Sequence, residues 1–365
     1  MANVLDYVMW RGDLSFSDSK FCEVDGSILS MLSYIDFGAL CDTDTVTLKQ
    51  AAQNRYPIQN SKKEKLGLII PSENINELFK ICADSRRFGG ITVTDYESVT
   101  DEDQMCQFSA VTFHMPAGRM AIAFRGTDDT IVGWREDFGL AYLEKIPSQT
   151  LAVDYLERIA AKYPNKRIYI CGHSKGGNLS LYSAVNCCAE VASRILRAFC
   201  YDGPGLDDVS FGSPGYKAMK RKLEIIIPQS SFIGIMFNVG DKYTVVNGTR
   251  KGAFQHDSFY WSVCGCEFEH LKSLSERGKK NEEQFKATMN RMSIEERREL
   301  VETLFSIIET TGAKTLTELT KGGAKHLGVI VKNYNGLDKQ KREIILGLFL
   351  KLFDFGKERQ SLQNK

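Results

Sequence analysis

Short apolar runs alternate with stretches of helical spacing through the middle of the chain. Gln107 to His114 and Arg119 to Arg125 read as consecutive strands, joined by a turn at Met115-Pro116-Ala117-Gly118. Leu151 to Tyr163 carries Val153, Leu156, Ile159 and Ala160 at helical spacing. Next come a strand, Arg167-Ile168-Tyr169-Ile170-Cys171, a helix of small residues, and a strand from Ile195 to Tyr201. Phe232 to Val239 reads as another strand, ending in Gly240-Asp241. This order predicts an α/β protein whose central sheet is mostly parallel and covered by helices on both faces.

The flanks are different. Residues 1 to about 60 look helical and irregular, with Asp25 as the cap of a helix that puts Ile28, Leu29, Leu32 and Ile35 on one face. The polar stretch from Lys272 to Glu283 reads as a linker or surface loop. Beyond it, Ser293 and Glu296 match a capping box, and Leu300, Val301, Leu304, Phe305 and Ile308 form a stripe that stops at Gly312. A last helix is expected from about Asp338, with Ile344, Ile345, Leu348, Phe349, Leu352 and Phe353 on one side, packed on the main domain. The expected organisation is a core over 1–275 with a helical N-terminal segment, and a helical extension over 276–365.

Composition narrows the function classes. A chain of 365 residues with 43% hydrophobic content can bury a full core. Its net charge of +1 gives no electrostatic case for nucleic acid. No run of 18 apolar residues suggests a membrane span, although peripheral membrane contact stays open. The start shows no basic-then-apolar signal pattern, and the ten scattered cysteines suit free buried thiols in a reducing cytoplasm. Cys264, Cys266 and His270 are too few for a metal site and are read as strand residues; no metal or cofactor is expected. Oligomeric state is not legible.

The chemistry concentrates at Gly172-His173-Ser174-Lys175-Gly176. A Gly-x-Ser-x-Gly turn between a strand and a helix is the setting of a nucleophile elbow, in which a sharp bend lifts the serine hydroxyl clear of the sheet. A hydroxyl attacks only if a base takes its proton and a carboxylate orients that base. Of the histidines after the elbow, His256 sits best, between a Gly-containing loop and an aromatic run read as a strand. His270 is the reserve, and His326 falls in the helical tail. Asp241, ending an apolar run shortly before His256, is the preferred acid. Asp202 in Tyr201-Asp202-Gly203-Pro204-Gly205 is the rival, otherwise a turn residue. The oxyanion of a tetrahedral intermediate needs two amides; Lys175, after the nucleophile, and Thr127, after Phe124-Arg125-Gly126, are the candidates.

Phe124-Arg125-Gly126-Thr127 with Trp134 and Asp137, together with Gly172-His173-Ser174-x-Gly176-Gly177, resembles the signature of class 3 (fungal-type) lipases. The Pro-Gly turn near 204, Asn238 to Asp241, and His256 to Trp261 recur in the same order. With Asp13, Phe16, Phe21, Asp25 and Leu32-Ser33-Tyr34, nearly the whole chain is similar to a bacterial branch of lipase-like α/β-hydrolases of unknown function. The resemblance implies an α/β-hydrolase fold and a serine hydrolase cleaving acyl esters or lipids. It assigns Ser174 as nucleophile, Asp241 as acid, His256 as base and Thr127 as oxyanion residue. An amidase, thioesterase or acyltransferase would use the same residues, and a non-catalytic scaffold is the remaining alternative. Lys175 stands where fungal-type lipases usually carry Leu, which suggests a cation near the pocket mouth. Arg125 and Asp137 are read as a buried pair steadying the oxyanion loop. The segment Asp128 to Gly133 is too short for a helical lid, leaving Val209 to Phe237 or the tail to supply any cover.

Overall fold

Apolar alternation along the strands creates a sheet with two buried faces. The computed structural model describes residues 1–38, 45–59, 72–240, 242–339 and 342–343. Eight strands lie side by side in chain order: β1 (Thr45–Thr47), β2 (Thr92–Asp101), β3 (Cys106–Met115), β4 (Arg119–Phe124), β5 (Arg167–His173), β6 (Ile195–Tyr201), β7 (Leu223–Pro228) and β8 (Thr244–Val246). The chain then makes a separate hairpin, β9 (Val263–Cys264) and β10 (Glu267–Phe268), and returns as β11 (His270–Leu271) beside β8. Strands β1 to β4 pair antiparallel, and β4 to β8 pair parallel. This is an α/β-hydrolase fold.

Along β4, Ala121 and Ala123 face one core while Met120, Ile122 and Phe124 face the other, the period of two that a doubly covered strand imposes. The N-terminal helices α1 (Val4–Arg11), α2 (Glu23–Leu32), α3 (Leu48–Gln59) and α4 (Ser72–Asp84) supply Tyr7, Ile28, Leu29, Leu48 and Leu78 to the first face. After β4 come α5 (Ile131–Gly139) and α6 (Pro147–Lys162), and after β5 comes α7 (Lys175–Asn186). Leu156 and Ile159 of α6 and Leu179 and Leu181 of α7 cover the second face. Each such side chain, fully buried, contributes about 1.5–3 kcal/mol of transfer free energy.

A third apolar cluster joins Ile131 of α5 to Leu300, Val301, Leu304 and Phe305 of the helix Ile294–Glu309. Arg135 adds ion pairs to Glu302 and Glu309. Backbone bonds from Ile131 to Lys314 and from Leu316 to Asp129 tie the same segment to the chain just after β4.

Several local expectations change. Asp25 is not the cap of α2: Cys22 is, and the Asp25 carboxylate reaches back to the Cys22 N–H while pairing with Arg87. Glu276–Asn290 is a helix capped by Ser275 where the composition suggests a linker, because polarity alone does not separate a solvated helix from a loop. Phe232 to Val239 is not a strand; its backbone turns at Ser231 and Gly234 to meet a buried carboxylate. His256 ends a 3₁₀ turn, Gly252–His256, and the stretch after it forms another, Ser258–Tyr260, instead of an aromatic strand. Cys264 and Cys266 are exposed, not buried strand thiols. Ile344 to Phe353 lies outside the described residues. Among the described residues no helix is long and apolar enough to cross a membrane.

Candidate active site

Strand β5 runs into Ser174 with no intervening residue, and α7 begins at Lys175. The chain can reverse there only by placing Ser174 at φ 58° and ψ −130°, a left-handed setting that costs a non-glycine residue of order 1–3 kcal/mol. The glycines make the bend sterically possible. A Cβ on Gly172 would lie 2.0 Å from the Gly176 carbonyl oxygen, and one on Gly176 would lie 2.1 Å from that of Phe124. The Ser174 N–H donates to the Tyr201 carbonyl, which fixes the turn against β6. The N-terminal dipole of α7 is directed at this serine.

A buried imidazole–carboxylate pair comes from two later segments. His256 Nδ1 lies 2.7 Å from Asp202 Oδ2, and both side chains are buried. Asp202 directly follows β6 at φ 47°, where its N–H donates to the Ile226 carbonyl. Its other oxygen, Oδ1, accepts from the Ser231 hydroxyl (2.5 Å) and the Gly234 N–H (3.0 Å). The residue read as a turn former is therefore the carboxylate at His256. Asp241, preferred from its order along the chain, lies outside the described residues. The segment read as a strand leading to it is instead a turn whose Ser231 hydroxyl and Gly234 N–H meet Asp202.

His256 is also held by its backbone. His173 Nε2 donates to the His256 carbonyl at 2.6 Å, and the two rings pack tilted by 42° with centroids 4.4 Å apart. Burial and the neighbouring imidazole hold the His173 pKa well below its ordinary value, so the ring stays neutral. Its Nδ1 then accepts from the Tyr34 hydroxyl, 3.4 Å away. Trp261 Nε1 donates to the Gln255 carbonyl, anchoring the preceding peptide. His256 thus sits against His173, the residue before Ser174. His270 instead makes an exposed pair with Glu23, and His326 contacts the Leu319 carbonyl.

The loop after β4 meets the elbow from the other side. A Cβ on Gly126 would stand 3.2 Å from Ser174 Cβ, 2.7 Å from the His173 carbonyl oxygen and 2.2 Å from the Tyr34 hydroxyl. Only glycine lets these three groups converge. Thr127 follows it, and its hydroxyl donates to Asp137 Oδ2. Asp137 is not paired with Arg125 as expected: Arg125 reaches Asp128 at 3.3 Å. Burial pushes the Asp137 carboxyl up to about 6, against the opposing pull of Lys175 and the Thr127 hydroxyl. Nor is Lys175 a cation at the pocket mouth. Its side chain is 1% exposed and turns inward to Glu136 (2.9 Å) and to the Gln107 carbonyl (2.7 Å). Tyr34, Glu136 and Gln107 escape a reading of the sequence because nothing in their local surroundings marks the contact. Among the described residues no cluster of three or more His, Cys, Asp or Glu could hold a metal.

Among solved structures the chain is similar to lipases, at low identity. M37 lipase is 17% identical, with 58% of this chain and 68% of that one covered and a TM-score of 0.36. A fungal lipase is 11% identical, with coverage of 71% and 90% and a TM-score of 0.39. Lip2 lipase from Yarrowia lipolytica is 13% identical, with coverage of 46% and 69% and a TM-score of 0.32. No curated protein matches the chain. Residues 82–306, which hold the elbow, Asp202 and His256, match the Mbeg1-like family. That stretch is more than half of the chain, which belongs to the Mbeg1-like family.

Proposed function

We propose that the protein is a serine hydrolase of carboxylic esters, acting on a small acyl ester or a lipid through an acyl-enzyme. Ser174 is the nucleophile, His256 the base and Asp202, in place of Asp241, the acid. His256 takes the hydroxyl proton as Ser174 attacks the acyl carbon, and Asp202 stabilises the imidazolium and holds its tautomer. The oxyanion is received by the amides of Thr127 and Lys175; losing one such donor costs about 3 kcal/mol of transition-state stabilisation. The imidazolium then protonates the leaving alcohol, and water repeats the sequence on the acyl-enzyme.

The observation that carries this reading is the 2.7 Å contact of His256 with a buried Asp202, with the His256 carbonyl bound by His173, the residue before a serine held at positive φ. Strained backbone at a serine beside a buried carboxylate–imidazole pair is the combination that supports the reading. The test is hydrolysis of p-nitrophenyl butyrate together with mass analysis after a fluorophosphonate probe. Turnover and one probe adduct on Ser174, both lost in Ser174→Ala, are expected. A folded wild type that takes no probe and hydrolyses no ester, thioester or amide would make the protein a binding scaffold instead. The ratio of rates on those three substrate types identifies the leaving group, which the same residues would serve in an amidase, thioesterase or acyltransferase.

A further inference from the structure

Beneath the elbow lies a buried ammonium that the reaction scheme above does not use. Lys175 Nζ donates to the Gln107 carbonyl (2.7 Å), Gln107 Oε1 (2.8 Å) and Glu136 Oε2 (2.9 Å), and it stands 3.8 Å from Asp137 Oδ1. Glu136 is itself saturated, accepting from the Gln107 N–H at Oε2 and the Ser148 N–H at Oε1. Asp137 is different. Its Oδ2 holds the Thr127 hydroxyl, but its buried Oδ1 has no hydrogen-bond partner among the described residues, and Lys175 is the cation it faces.

This geometry bears on both halves of the proposed oxyanion hole. One half is the backbone amide of Lys175; the other is Thr127, whose hydroxyl is tied to Asp137. A single side chain therefore spans the two, anchored on β3 through Gln107 and on α5 through Glu136 and Asp137. Resting on the hydrolase reading above, we infer that the Lys175 side chain is a positioning residue, keeping Asp137 ionised and thereby holding Thr127 in register with the Lys175 amide. A neutral side chain could fill the same volume but could not favour a carboxylate in a buried place. A protonated Asp137 has a proton of its own to donate and no longer obliges the Thr127 hydroxyl to point at it.

The charged groups around Asp137 are Lys175 from α7, Glu136 from its own helix and Asp128 from the loop after β4, where Arg125 neutralises the last. Two of the three are negative. Removing Lys175 alone thus leaves Asp137 among like charges, and its carboxyl must move further up from about 6.

The experiment compares wild type, Lys175→Met and the double variant Lys175→Met/Glu136→Gln in the full chain. Rates on p-nitrophenyl butyrate are expressed per mole of serine that takes the fluorophosphonate probe, so that partial unfolding does not enter. Removing only Lys175 strands Glu136, whereas the double variant removes both charges and should fold. In both variants kcat should fall at least about tenfold with KM within about twofold, since ester binding does not use the oxyanion contacts fully. The acid limb of the kcat profile should also move to higher pH by about one unit or more. A double variant with wild-type kcat and pH profile would show that Lys175 only neutralises Glu136, and the inference falls while the hydrolase reading stands. A wild type that neither turns over nor takes the probe removes both.

Discussion

Asp25 and Asp202 are both wholly buried carboxylates, and their surroundings differ in one respect. Around Asp25 every lone pair meets a donor, and one donor is a permanent cation. Arg87 bonds both oxygens (2.7 and 2.5 Å), while Tyr7 and the Cys22 N–H supply the rest. Arg87 in turn is capped by the carbonyls of Leu14, Ser19 and Lys20 and lies 4.1 Å over the Phe16 ring. Asp202 meets a hydroxyl, an amide and an imidazole, with no fixed cation among them. The first carboxylate is neutralised for good and locks α2 to the segment after α4. The second has an imidazole in place of a guanidinium, so no permanent cation faces it. Burial alone therefore does not tell the two carboxylates apart; the permanence of the partner's charge does.

That contrast can be broken experimentally. The largest effect is expected at the site: Asp202→Asn should lower kcat by about 10³–10⁴-fold through the wrong imidazole tautomer, with little change in thermal midpoint. Parallel kinetics on Asp241→Asn give the control, and a larger loss there than at Asp202 would reverse the assignment of the acid. Next is Arg87→Met, which leaves Asp25 buried and unpaired and should destabilise by about 3–5 kcal/mol. Urea unfolding measures that cost, and kcat per probe-reactive serine should be unchanged. If kcat falls instead, the N-terminal cluster is not merely structural.

Asp257 sharpens the comparison as a third case. It is buried, Oδ1 accepts the Phe259 N–H, and Oδ2 has no partner among the described residues. Burial raises its carboxyl to about 7. The sign follows from the raised value: the native state binds the extra proton, so this group's contribution weakens as pH rises from about 4 towards about 7. Asp257→Asn should accordingly stabilise by about 1–3 kcal/mol at pH 8 and by little at pH 4, read from denaturation at the two pH values. The smallest effect is expected from Tyr34→Phe. Removing the hydroxyl that touches His173 should cost less than about tenfold in kcat, about 1 kcal/mol, without changing KM.

The strand–turn–helix around Ser174 is legible because its causes are local: two glycines, an apolar strand and a run of small residues. The β3–β4 hairpin, the helix Ile294–Glu309 and the strand Ile195–Tyr201 are readable for the same reason, since period and capping chemistry lie within neighbouring residues. Glu276–Asn290 passes for a linker because its polar helix carries no apolar stripe strong enough to declare itself. At the candidate site, His256 is proposed from its place in the order of the chain, and Thr127 from the glycine before it. The pairing of His256 with Asp202 cannot be read that way, because it depends on the turn at Ser231 and Gly234 that meets this carboxylate. Lys175 shows the same limit more sharply. Its position beside Ser174 is plain, yet its direction, inward to Glu136 instead of outward to solvent, is decided by an acid 39 residues away.

By itself, then, the chain determined what covalent neighbourhood dictates: strand and helix periods, the elbow, and the residue types able to perform acyl transfer. Tertiary structure alone decided which charges face one another. Coulomb and hydrogen-bond energies depend on distances across β5, β6 and α5 that no sequence interval encodes, and burial makes those distances count for most.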